Sequence, residues 1–206
     1  GHIPPEYQPW VEGVGYHPAK RQLTYDLEVD QGFPPLINRI VASGEKNDRI
    51  KIRSVDLQNF ERDAGIAIDI LNDAWSKNWG FVPFTEAEKA YAAKKLRPLI
   101  LKNANMIVEL DGEPVAFMIA LPDVNALLAK MKGRLFPFNW LKLLLWLRNP
   151  RNASFRVPLM GVKRKLQSTR IASQMAFMMI EYIRRWAVGD HGGKRAEVGW
   201  ILEDNQ

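Results

Sequence analysis

Two apolar runs around a tight turn constrain this chain more than any other feature. Met106-Ile-Val108 and Val115-Ala-Phe-Met-Ile-Ala-Leu121 stand on either side of Asp111-Gly112, a dipeptide that strongly signals a two-residue hairpin. Runs this apolar suit buried, central strands. A central hairpin needs cover on its faces, and the neighbouring sequence supplies helices for that purpose.

The pattern continues in both directions. Ile50-Lys-Ile-Arg-Ser-Val-Asp56 alternates as a strand, and from Asn59 to about Lys77 apolar residues recur at helical spacing through Phe60, Ala64, Ala67, Ile68, Leu71 and Trp75. A second helix is expected after Thr85, with Glu88 completing a capping box, and it should run to about Leu101. Beyond the hairpin, Asn125 to Asn149 reads as a basic, apolar, helical insertion broken at Phe136-Pro-Phe138. Phe155 to Val162 reads as a strand, Ile171 to Val188 as a long helix and Ala196 to Leu202 as a final strand. This order predicts an α/β fold, an α+β three-layer sandwich in which helices flank one mixed sheet.

The first fifty residues look different. Gly1 to Tyr16 is rich in Pro, Gly and Tyr, and Gln22 to Val29 alternates as a strand. Gly32 to Asp48 has the composition of a linker with one short helical turn. At the other end, Glu203-Asp-Asn-Gln206 follows a strand and reads like the start of a helix cap, so the natural protein is expected to continue.

Composition excludes several chemistries. With no cysteine, the chain has no disulfide, thiolate-zinc site, iron–sulfur cluster or cysteine nucleophile, which fits a cytoplasmic protein. His2, His17 and His191 are the only histidines and are not spaced as metal ligands, so no metal site is expected. A Ser-His-Asp mechanism is left only to tertiary contacts that the sequence does not specify. The net charge of +6 suits anionic partners as well as plain solubility. No apolar run is long enough to span a membrane, and residues 1–20 lack the order of a signal peptide.

The segment from Met160 to Ser173 joins a strand to a long helix and carries Lys163, Arg164, Lys165 and Arg170. Unpaired amides and the positive end of the dipole make a helix N-terminus a phosphate site. A plain strand–helix turn with a solvated basic face fits these residues as well.

The element order resembles that of the GNAT N-acetyltransferases, whose main motif places Gln/Arg-x-x-Gly-x-Gly/Ala between a strand and a helix. Gln167-Ser-Thr-Arg170-Ile-Ala172 stands in that place. The Gln and the final Ala match, but Arg170 replaces a glycine that would let backbone approach a pyrophosphate closely. Four blocks resemble a group of uncharacterised bacterial GNAT-like proteins: Asn72 to Thr85, Leu121 to Asn125, Gly133 to Pro137 and Gly199 to Asn205. The upstream His2-Ile-Pro-Pro-Glu-Tyr7 and Gly15-Tyr16 resemble the same group, whose members are longer on both sides. This resemblance implies that residues 1–30 are the tail of a preceding GNAT-like half, 31–49 a linker, and 50–206 an acyltransferase domain cut short at its C-terminus.

The activity so implied is transfer of an acetyl or longer acyl group from coenzyme A to a small-molecule or peptide amine, with acetyl-CoA or another acyl-CoA as cofactor. In that frame Leu159, Met160, Gly161 and Val162 hold the pantetheine arm. Gln167, Ser168, Thr169, Arg170, Ile171 and Ala172 hold the pyrophosphate, and Asn205 meets the cofactor. Glu197, Glu203 and Asp123 are the candidate bases, since an amine must lose a proton when it attacks a thioester. Asn72, Asn78, Trp79 and Asn125 are candidates for the acceptor pocket, with Trp75 expected in the core. Asp123 and Asn125 also fit the bland role of helix capping. The alternative reading is a catalytically inactive GNAT-like module that binds a ligand or partner. The insertion at 130–151 is expected to pack on the domain or on a second copy as a homodimer, ahead of a lid over an acyl chain or contact with a membrane. No specific nucleic acid is expected, because the basic residues are scattered and no reader motif is present.

Overall fold

A computed structural model describes residues 4–203. In chain order the elements are α1 (Tyr7–Gly13), β1 (Gln22–Glu28), α2 (Pro35–Glu45), β2 (Ile50–Ser54), α3 (Phe60–Ala74) and α4 (Glu86–Leu96). They continue with β3 (Asn105–Leu110), β4 (Glu113–Pro122), α5 (Asn125–Lys130), α6 (Asn139–Arg148), β5 (Phe155–Val162), α7 (Arg170–His191) and β6 (Arg195–Leu202). The strands form one six-stranded mixed sheet in the order β1-β6-β5-β4-β3-β2. Only β5 and β6 are parallel neighbours.

The hairpin β3–β4 lies at the sheet's centre and is buried as the apolar runs require. Asp111 and Gly112 both take positive φ at its turn, which aspartate and glycine tolerate best. The pleat divides its side chains between two layers. Ile107 and Phe117, paired across the hairpin, face α3 and α4. Met106, Val108, Ala116 and Met118 face α7 and α2, where Met175, Met178, Met179 and Ile183 meet them. The three-layer architecture expected from the sequence is thus present.

The stretch from 32 to 48 departs from its expected single helical turn. It forms the 11-residue α2, packed on α7 by Val41 and Gly44. A Cβ on Gly44 would fall 2.2 Å from Met178 Sδ, so glycine here permits close helix approach. A buried carboxylate ties the same region together. Glu181 on α7 accepts from Arg184 and Arg185; Arg185 also reaches Glu45, while Arg184 donates to the Val29 carbonyl. On the opposite layer Asp63, fully buried, accepts from Arg53 at 2.6 and 3.1 Å and from the Asp56 amide at 2.8 Å. β1 closes the far edge, antiparallel to β6 and exposed along its whole length.

Candidate functional site

The sheet is split at its parallel pair. β5 and β6 are in register only from Phe155 to Val157 against Ala196 to Val198, whereas β5 stays paired with β4 as far as Val162. Pro158 follows the last shared pair and has no amide to donate, so the ladder cannot extend there. From this point β5 presents an open edge toward the diverging β6. Lys163 N donates to the Val115 carbonyl of β4 at 2.8 Å, and the alternation of a strand therefore turns the main-chain groups of Met160 and Val162 the other way.

Their two carbonyls are already engaged. Trp75 Nε1, at the end of α3, donates to the Met160 oxygen at 3.1 Å, and Gln167 Nε2 donates to the Val162 oxygen at 2.9 Å. The edge therefore offers mainly amide donors. Gly161 between them faces α3, where a Cβ would stand 2.9 Å from Phe117 Cε1 and 3.2 Å from Ala74 Cβ. Glycine is needed here for helix–sheet packing.

The loop from β5 to α7 is tied to the end of α3 by hydrogen bonds. Asp73 Oδ2 accepts from the Arg164 amide at 2.7 Å, Arg164 Nη1 reaches Ser76 Oγ at 3.3 Å, and Gln167 Nε2 also touches the Ala74 carbonyl at 3.2 Å. Ser168 takes φ of 64°, and Thr169 caps α7 by accepting from the Ala172 amide at 3.2 Å. The helix begins at Arg170, so Arg170 and Ile171 occupy its first two positions, and their amides have no acceptor among the described residues. Lys163 and Arg164 precede these amides in the same loop and Arg170 is exposed at the helix start, while Lys165 is turned to Glu113 at 3.1 Å. Two free amides, a helix N-terminus and three cations suit a pyrophosphate. The Arg170 side chain adds charge at the position where the motif has glycine.

The other candidate residues are dispersed. Glu197, on β6 at the last paired residues, is bound to Arg156 at 3.0 Å, and Arg156 lies over the Trp200 ring at 5.2 Å. Glu203 follows the end of β6 and accepts from the Arg21 amide at 3.2 Å. Asp123 accepts from the Asn125 amide at 2.9 Å, beside the start of β5. Since β5 is eight residues long, Asp123 and Asn125 stand roughly 20 Å from the α7 N-terminus, at the other end of the strand. Asn72 is spent on the chain itself: its side chain bonds both the amide and the carbonyl of Phe84, at 2.8 and 3.0 Å. Asn78 and Trp79 lie in the turn this anchor closes, with Trp79 61% exposed. Trp75 is half-buried, edge-on to Phe81 at 5.9 Å. Asn205 lies outside the described residues.

Sequence reasoning missed Asp73 and the indole donor of Trp75. One signal for Asp73 was available, because an aspartate in the last turn of a helix opposes the dipole and implies an outside partner.

No protein-family model matches the chain. Over 206 residues it is 37% identical to a bacterial ceramide synthase of Caulobacter vibrioides, covering all of this chain and 53% of that protein. The chain spans about half the length of the curated relatives it matches. Among solved structures, a GCN5-related N-acetyltransferase from Sphaerobacter thermophilus superposes with a TM-score of 0.56 at 13% identity, over 93% of this chain and 46% of that one. L-PGS from Bacillus licheniformis superposes with a TM-score of 0.51 at 13% identity, over 97% of this chain and 53% of that one. Identities this low speak for fold alone. The element order, the parting of β5 from β6 and these superpositions together establish that the chain has the fold of the GCN5-related N-acetyltransferases.

Proposed function

We propose that this chain is the acyl-CoA-binding part of an N-acyltransferase. One observation carries the reading: the open edge of β5 leads directly to a helix start with two free amides, through a loop that carries Lys163 and Arg164 and ends at Arg170. In this reading the Met160 and Val162 amides hold the pantetheine arm. The amides of Arg170 and Ile171, with Lys163, Arg164 and the Arg170 side chain, hold the phosphates. Asn205 is assigned to the cofactor on the resemblance. When bound, acyl-CoA supplies a thioester, and a free amine attacking its carbonyl gives an amide and the CoA thiol.

For the acceptor we infer a long-chain amine, on the printed name of the relative at 37% identity, since a ceramide is an N-acylated long-chain amino alcohol. Asn78 and Trp79 are the acceptor-side residues in this account, because their turn adjoins the end of α3 that touches β5. Proton removal from the amine is assigned to Glu197, the carboxylate closest in sequence to the point where β5 and β6 part.

The test is release of CoA thiol from acetyl-CoA and palmitoyl-CoA by the full-length protein, across short and long-chain amines. Glu197→Gln should lower kcat and leave KM for acyl-CoA nearly unchanged. Failure to bind any acyl-CoA sinks the reading. A second reading, a module that binds acyl-CoA without turnover, is favoured by the engagement of all three candidate carboxylates with Arg156, the Arg21 amide and the Asn125 amide. Saturable binding with no thiol release for any amine would select it.

A further inference from the structure

The stretch joining β4 to β5 has an unusual charge. From Val124 to Ser154 it contains Lys130, Lys132, Arg134, Lys142, Arg148 and Arg151 and no acidic residue at all. None of these six cations is ion-paired among the described residues.

The same stretch displays apolar side chains away from the domain. The inner side of α6 is anchored: Trp146 packs on the cluster of Ala153, Phe155 and Ala187, and Leu143 and Leu147 are half-buried. Its outer side carries Leu141, Leu144 and Leu145, spaced i, i+3, i+4 and 44–55% exposed. Just before the helix Phe136 and Phe138 are 80% and 72% exposed. An apolar stripe of this kind, bordered by unpaired cations, marks an interaction surface.

We propose that residues 130–151 dock on an anionic lipid bilayer, with Phe136, Phe138 and the outer leucines entering the headgroup boundary and the cations meeting lipid phosphates. Charge decides the occupant. A second copy placed symmetrically on this face would set cations against cations, which opposes association. An anionic membrane complements both the charge and the apolar stripe. The proposal is independent of the reaction this protein performs.

Flotation of the full-length protein with phosphatidylcholine vesicles, with and without an equimolar share of phosphatidylglycerol, tests it. Two surface variants accompany the wild type: Leu141→Ser/Leu144→Ser/Leu145→Ser and Lys142→Ala/Arg148→Ala. The wild type should partition to the anionic vesicles only. Partition should fall about fivefold for each cation removed and roughly tenfold or more for the leucine variant. Both variants should keep the wild-type Tm. Equal partition to neutral vesicles, no partition, or unchanged partition of the variants overturns the proposal. So does a leucine variant with a lowered Tm, which would mean that the rest of the chain covers this face. A wild-type dimer turned into a monomer by the leucine variant, with vesicle partition unchanged, would assign the face to a second copy.

Discussion

Gly161→Ala is the substitution that best isolates how α3 and β5 build the cleft. The added methyl would stand 2.9 Å from Phe117 Cε1 and 3.2 Å from Ala74 Cβ. Neither neighbour can step aside easily. Phe117 is 1% exposed in the sheet's centre, and the Ala74 methyl moves only if the helix backbone moves. Overpacking of this kind costs about 1–3 kcal/mol. For a domain of this size each kcal/mol lowers Tm by roughly 2–4 °C, so a loss of about 2–12 °C is expected. Ala74 and its neighbour Asp73 also hold the β5–α7 loop, through Gln167 and the Arg164 amide. Pushing α3 outward should therefore weaken acyl-CoA binding as well. The matched control is Gly65→Ala in the same helix, where a Cβ meets nothing within 4 Å. That change should stabilise by about 0.8–1 kcal/mol, the helical advantage of alanine over glycine. Thermal melts and guanidinium titrations of the full-length protein read both. A Gly161→Ala protein as stable as the wild type would refute the packing argument.

Other substitutions test the parts separately. Thr169→Ala removes the cap on the Ala172 amide and should cost about 1 kcal/mol by urea titration, with Thr169→Ser restoring most of it. Trp75→Phe keeps an aromatic ring beside Phe81 but strips the donor from the Met160 carbonyl; a loss of about 1 kcal/mol is expected. Asp63→Asn leaves Arg53 facing a neutral amide in place of its buried carboxylate partner. Because Arg53 is itself 30% exposed, the expected cost is about 2–3 kcal/mol, below that of a fully buried pair. Acid titration probes the same groups. Burial alone would raise the Asp63 carboxyl, but Arg53, the Asp56 amide and Arg62 overcome it and hold it below the ordinary value; Glu181 is held low chiefly by Arg184, against burial, with Arg185 adding. Folding lowers both values, so their contribution is complete above about pH 5, beyond the unfolded values, and is lost as pH falls through the depressed folded values. The urea midpoint should drop as pH falls below about 4, and the drop should be shallower in Asp63→Asn/Glu181→Gln.

Much of this fold is legible wherever local chemistry and burial agree. The Asp111-Gly112 turn and the Thr85–Glu88 capping box form as read, because each is decided by a few adjacent residues. The helix α2 escapes such a reading, since Pro34-Pro35 and Gly44 look like breakers until Met178 is seen against Gly44. The insertion was legible as a basic, apolar helix, but not which of its sides is anchored. In Leu141-Lys-Leu-Leu-Leu-Trp-Leu147 almost every position is apolar, so periodicity cannot tell the anchored side from the exposed one. The site divides in the same way. The loop and helix start around Gln167–Ala172 follow from sequence order, whereas the partners of Asn72 and Asp73 arise from tertiary contacts with Phe84 and Arg164. Asn72 illustrates the consequence: it reads as a pocket anchor, yet its amide is consumed in closing the turn before α4.

Whether the open edge of β5 and the start of α7 hold acyl-CoA is tested by amide hydrogen exchange of the full-length protein with and without acetyl-CoA or palmitoyl-CoA. Slowed exchange is expected at Met160 and Val162 on the open edge of β5 and at Arg170 and Ile171 at the start of α7, with little change at Asn125 or along β1. Binding that protects other regions and leaves those four amides unchanged, or no binding of either acyl-CoA, would contradict that assignment.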